Sequence, residues 1–172
     1  MSVPSQATLL AEALEAWQYT RQGVLREAEE FPDGEWGFRP GPGARTVQEL
    51  VHHVLASGLV MVGELTRANG DFQRQSYEDH VAVHARTLPT DPTPAALRAL
   101  LTSTLAKGVA AFGQVGEVHM LQLIRRFDGA WGTRMAWLQH GIEHESYHRG
   151  QLAAWVRLSG RVPALTQIIE AG

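Results

Sequence analysis

From Thr133 to Leu158 the sequence TRMAWLQHGIEHESYHRGQLAAWVRL carries no proline and sorts its side chains onto two separate strips. Leu138, Ile142, Ala153 and Val156 form one. The other holds His140, His144 and His148 among Trp137, Tyr147, Gln151 and Trp155. At about 100° per residue, positions four apart drift by only ~40°, so each set shares one face of a helix. A helix with an apolar strip and an aromatic strip has to be covered on two sides. It belongs in the centre of a helical bundle or at an interface between copies of the chain.

Three more long helical patterns precede it. Leu9, Leu10, Ala13, Leu14, Trp17 and Leu25 give one broad face to a helix over about Gln6–Glu30, which stops before the Pro/Gly-rich FPDGEWGFRPGPG. Thr46 caps a second helix, with Glu49 as capping-box partner, and Asn69-Gly70 ends it. A third opens at Thr93-Pro94 and fades around Gly113 to Gly116. Residues 71–91 are polar, with one short helix expected through YEDHVAVH. EVHMLQLIRRFDGAWG reads as a connector with a short extended piece, and RVPALTQIIEAG as a turn of helix packing back. The expectation is an all-α chain, a single four-helix-bundle domain over residues 1–172.

Composition removes several classes of function. With no cysteine there is no disulfide framework, no thiolate ligand and no cysteine nucleophile, so a metal would rest on histidine, carboxylate or water. Fifteen Lys+Arg against 18 Asp+Glu, with no dense basic block, leave no footprint for nucleic acid. The start MSVPSQATLLAEALEAW lacks the basic-then-apolar form of a secretory signal, and no apolar run approaches the ~18 residues of a membrane span. A cytoplasmic protein without membrane contact is the default expectation.

His144 to His148 spells H-E-x-x-H, the helical zinc-site pattern of metalloproteases, in which the glutamate is the base. The surroundings argue against a peptidase. A metzincin needs Gly and His where this chain has Gln151 and Ala154, only Glu170 remains as a downstream carboxylate ligand, and no strand offers an edge to a peptide. The histidines can still hold a metal. His140 and His148 are separated by about 12 Å of helix rise, too far to share one ion with ~2.1 Å bonds. One adjacent pair plus a ligand from another helix is workable. The second helix offers His52 and His53, of which His53 lies nearer the flank of Leu50 and Ser57. His53, His144 and His148 would make a three-nitrogen site with open positions, as in catalytic metal sites. The plainer reading of any one histidine is a core or surface residue. His119 is read that way, and His80/His84 lie in a polar connector with no aromatic partner.

FRPGPGARTVQELVHHV, followed much later by LQHGIEHESYHRGQLAAWVRLSG, resembles the DinB/YfiT-like superfamily of metal-dependent enzymes, and the H-R-G-Q ending is the specific part. The resemblance implies an up-down-down-up four-helix bundle, often a homodimer, with a divalent metal on His53, His144 and His148. His140 would be a recurrent neighbour rather than a ligand. It also implies a small-molecule substrate, with thiol-dependent S-transfer (bacillithiol, mycothiol or glutathione as cosubstrate) among the family's activities. A hydrolase using an activated water and a non-catalytic ligand-binding dimer are the alternatives. The ion is left open among zinc, nickel, iron, copper and manganese. Glu145, about 60° from His148 around the helix, is a candidate base or surface residue. Gln151 is a candidate hydrogen-bond partner of a ligand histidine or bound water. Tyr147 is a candidate pocket wall, and Arg149 a candidate anchor for a substrate carboxylate.

Overall fold

All four long helices begin on a threonine whose hydroxyl accepts a hydrogen bond from the amide three residues on: Thr8 from Ala11, Thr46 from Glu49, Thr93 from Ala96 and Thr133 from Ala136. Such a cap satisfies an amide that the helix itself leaves unpaired. The computed structural model describes residues 7–171. Its elements are α1 (Leu9–Glu29), α2 (Val47–Thr66), α3 (Tyr77–His84), α4 (Pro94–Met120), the strands β1 (Leu123–Arg125) and β2 (Trp131–Thr133), α5 (Arg134–Leu158) and α6 (Ala164–Ala171). The expected helix start at Gln6 lies outside the described residues. The capping box at Thr46/Glu49 is complete, with Glu49 accepting from the Thr46 amide at 2.7 Å.

Contacts between helices fix their directions. Leu10 donates to Glu117 and Arg21 to Thr104, so α1 and α4 run antiparallel. Arg21 meets Glu145 and Gly23 lies under Arg149, so α1 and α5 run parallel. Val62 approaches Gly108 and His119 bonds the Leu65 carbonyl, so α2 runs parallel to α4. The result is the up-down-down-up bundle. Gly116, at φ 75°, breaks α4 one turn before its end, where the glycine spacing predicts that the helix fades. The connector that follows holds more than one extended piece. β1 and β2 pair antiparallel, Ile124 opposite Gly132, about a turn at Asp128-Gly129. α6 begins on α1, where the buried Glu27 accepts from the amides of Ala164 and Leu165. Contrary to the sequence expectation, α4 is long and apolar enough by length and composition to cross a bilayer; its Leu97, Leu101, Leu105 and Phe112 are buried in the bundle.

The core has two halves. Val24, Val54, Leu55, Leu101 and Trp155 belong to one, and Trp17, Val60, Leu105, Leu138 and Ile142 to the other. Between them lies a buried ion pair: both Glu145 oxygens accept from Arg21, and Trp17 Nε1 donates to Oε1 at 2.8 Å. The two charged side chains are 2% and 1% exposed. Gly58 makes the room, since a Cβ there would stand 2.6 Å from the Arg21 guanidinium. The second apolar strip of α5 is covered within the chain, with Leu138, Ile142 and Val156 all buried.

Removing one member of a buried pair strands the other. Arg21→Ala is therefore expected to lower unfolding free energy by about 3–5 kcal/mol in urea titration. The double variant Arg21→Met/Glu145→Leu should cost less than that single change.

Candidate metal centre and pocket

His53 on α2 meets His144 and His148 on α5. Nε2 of His144 lies 3.1 Å from Nε2 of His53 and 3.0 Å from Nε2 of His148. The antiparallel pairing of α2 and α5 brings the two segments face to face, while helical divergence sends His52 outward to the Pro89 carbonyl at 3.1 Å. Burial above all, with the Arg45 guanidinium adding to it, pushes the His53 pKa down to about 4. Burial and then the neighbouring His148 push His144 down to about 4 as well. Burial also lowers His148, against the pull of its bond to Gln151.

Gln151 Oε1 can only accept, and it takes the Nδ1 proton of His148 at 2.7 Å. Nε2 of His148 therefore keeps its lone pair toward the cluster. Three unprotonated nitrogens converging at about 3 Å repel unless a proton or a cation lies among them, and imidazoles sharing one cation through ~2.1 Å bonds stand about this far apart. The donor set fits a divalent cation. Gln151 would orient one ligand, as an outer hydrogen-bond partner of a ligating histidine does.

The other sequence candidates fall elsewhere. Glu145 is neither a free base nor a surface residue: both its oxygens are taken by Arg21 and Trp17 inside the bundle. Arg149 is not at the histidines. It lies across Gly23 of α1, 5.2 Å from the Tyr19 ring centroid, so it cannot anchor a substrate there. Tyr147 is 65% exposed and outside the pocket; its hydroxyl accepts from Gln151 Nε2 at 3.2 Å. Trp155 is in the core and Trp137 is a pocket wall.

The pocket, of about 320 Å³, opens beside His53 and His144. Phe72 and Phe127 wall it from the connectors, Tyr77 from the start of α3, and Met61, Trp137 and His140 from α2 and α5. Behind those connectors Glu64, fully buried on α2, accepts from Arg74 and His84 and from the Asp71 amide. Burial alone would raise its pKa; these hydrogen bonds outweigh it and hold the carboxyl at about 2. His80 lies beside it, fully buried, donating from Nε2 to the Phe72 carbonyl and packed against the Phe72 and Phe127 rings. The His80/His84 pair therefore does have aromatic partners. Glu64, His80 and His84 bring donor atoms within 4.8 Å of one another. The Arg74 guanidinium already takes the carboxylate, so this cluster acts as a polar hub that seats Phe72. Arg45 is a further residue missed in the sequence. It is exposed, shares a cleft with Gln151 and Trp155, and its field reaches all three histidines.

The bundle thus sets one histidine of its second long helix against two of its last, a group that could hold a metal ion. The chain belongs to the DinB family, whose model matches residues 1–170. It is 28% identical over 139 residues to the uncharacterized protein YjoA of Bacillus subtilis (strain 168), covering 77% of this chain and 79% of that one. The crystal structure of that DinB-like protein matches with TM-score 0.67 at 24% identity, over 88% of this chain and 93% of its own. YfiT from Bacillus subtilis, a probable metal-dependent hydrolase with an unusual four-helix bundle topology, matches with TM-score 0.68 at 16% identity, over 94% of each chain. The mycothiol-dependent maleylpyruvate isomerase matches with TM-score 0.65 at 16% identity, over 86% of this chain and 63% of its own. At these identities the structural likeness shows the fold.

Calorimetry with zinc or nickel is expected to give one divalent cation per chain, lost in His53→Ala and His148→Ala. Gln151→Ala should keep the site with about 10- to 100-fold weaker affinity. A carboxylate depressed by folding stabilises fully above its unfolded pKa, and that contribution is lost as pH falls through the folded value. Glu64 thus supports the fold above about pH 4.5 and loses its effect toward about pH 2. Acid titrations followed by circular dichroism should show a shallower loss of stability in Glu64→Gln across that window.

Proposed function

We propose that the protein is a metal-dependent S-transferase that joins an external low-molecular-weight thiol to a small electrophile. One observation carries this choice over hydrolysis: Glu145, the residue H-E-x-x-H would supply as base, is tied to Arg21 and Trp17, and no other carboxylate lines the pocket. Water needs a strong push to lose its proton, whereas a thiol with a pKa of about 8.5 releases one to solvent readily. A divalent cation held by His53, His144 and His148 would supply Lewis acidity that eases either deprotonation.

The chain's own residues do the rest. Gln151 fixes the His148 ring, and the aromatic walls keep water from the electrophile. In the transfer the thiol sulfur forms the new bond to carbon, the leaving group departs with its bonding pair, and the thiol proton passes to solvent. The thiol comes from outside, because the chain has no cysteine. This reading places the protein in the cytoplasm, where small thiols stay reduced.

Hydrolysis is the second reading, favoured by the His140 imidazole at the pocket wall, a possible base. Metal-loaded protein assayed with an electrophile is expected to form product only when thiol is present. Equal rates with and without thiol would overturn the transferase. Glu145→Gln should keep kcat within about tenfold, because a true general base contributes about 10²–10⁴-fold. His148→Ala should abolish turnover.

A further inference from the structure

We propose that the pocket beside the histidines selects an uncharged, flat, apolar molecule about the size of one substituted aromatic ring, with a polar acceptor atom held at the Ser57–Tyr77 hydroxyls. That this molecule is the electrophile rests on the transferase reading; that the pocket selects it rests on the walls alone.

No Asp, Glu, Lys or Arg lines the pocket. A charged molecule resting on the aromatic walls, away from the histidines, would shed its hydration without meeting a counter-charge there, which costs several kcal/mol or more. Arg126, over the Trp137 ring at 5.7 Å, is not a lining residue, and Arg45 opens onto a separate cleft. Three rings from three different segments close the far side. Phe72 stands 4.8 Å from Phe127 and 5.5 Å from Trp137 between centroids, and Phe127 stands 6.3 Å from Trp137. These are spacings at which aromatic rings attract edge-on or offset, so a further flat ring finds faces and edges to pack on.

One polar feature faces this apolar set. Ser57 Oγ and Tyr77 Oη both line the pocket, 2.8 Å apart. Their mutual hydrogen bond uses one proton, and the second hydroxyl proton is free to donate to a carbonyl, nitro or halide group. Ser57 lies one turn along α2 from His53, so a group held there is presented toward the histidines. The volume, about 320 Å³, lies at the small end of ligand pockets, which run about 300–1,000 Å³. Gly141 sets that volume. A Cβ at this position would meet Met61 Sδ at 1.9 Å, so the missing side chain is what lets the thioether lie back against α5.

The test uses zinc-loaded protein and two probes that share a ring, 4-nitrotoluene and 4-nitrobenzenesulfonate. The sulfonate is chosen because it is a poor metal ligand. Binding is read as saturable quenching of tryptophan fluorescence, with Trp137→Phe identifying the responding ring. The neutral probe is expected to bind at least about tenfold more tightly. Gly141→Ala, which drives Met61 into the pocket, should weaken it by about tenfold or more. Should that variant fold poorly, Phe127→Ala on the hairpin turn should weaken the neutral probe in the same sense. Equal or tighter binding of the sulfonate would overturn the proposal, as would unchanged binding of the neutral probe in the pocket variants. Selective binding of the neutral probe with no thiol-dependent turnover supports the pocket assignment and sinks the transferase. Thiol-dependent turnover with no preference between probes does the reverse.

Discussion

The ion pair between Arg21 and Glu145 sets how α1 lies along α5, and the meeting of the three histidines follows from that register. A carboxylate buried between two apolar clusters is tolerable only where its partner stands, so Glu145 has one place to go. His144 is the next residue in sequence and about 100° away around the helix. Turning Glu145 toward α1 therefore turns His144, and His148 one turn on, toward α2. Trp17 fastens the same carboxylate from another direction, and Gly58 keeps α2 close enough for His53 to complete the set. The glutamate of the H-E-x-x-H pattern serves here as an anchor that aims its neighbours.

The four long helices were legible because their signals are local. Threonine caps at Thr46 and Thr93 and glycine stops show within a few residues, and Thr46 with Glu49 shows both partners of its box in the sequence, whereas Thr8 fell inside the expected first helix. The choice of His53 over His52 was legible from helical angle, because neighbours diverge too far to share a target. Angle could not say what Glu145 would touch, since its partners lie on α1, more than a hundred positions away. The hub at Glu64 was hidden because its donors come from an irregular connector, at Asp71 and Arg74, and from His84 on α3. Arg149 was misplaced because its partner is a bare glycine surface on α1. The hairpin carried a readable sign, Asp128-Gly129, but strands this short show too little alternation to stand out.

The candidate metal centre is also a problem in electrostatics. Three imidazole nitrogens meet where burial above all keeps the rings from taking up a second proton near neutrality. Gln151 contributes by taking the outer proton of His148, which leaves the inner nitrogen one role. The exposed Arg45 adds to the same effect from outside the cluster. The buried, neutral imidazoles leave the cluster short of positive charge, and none of these groups closes the side that faces the pocket.

The pocket walls belong to two kinds of structure. Met61, Trp137 and the three histidines ride on long capped helices, whereas Phe72, Tyr77 and Phe127 stand in or beside the connectors around α3 and the hairpin. Those connectors lean on Glu64 and are separate from the Arg21–Glu145 pair. The histidines and part of the pocket wall are therefore mounted on the long helices, and the rest of the wall on the connectors. A longer hairpin turn or another ring at the connector would reshape what enters while leaving the three nitrogens in place. In this architecture the shape of the pocket can drift without dismantling the histidine cluster.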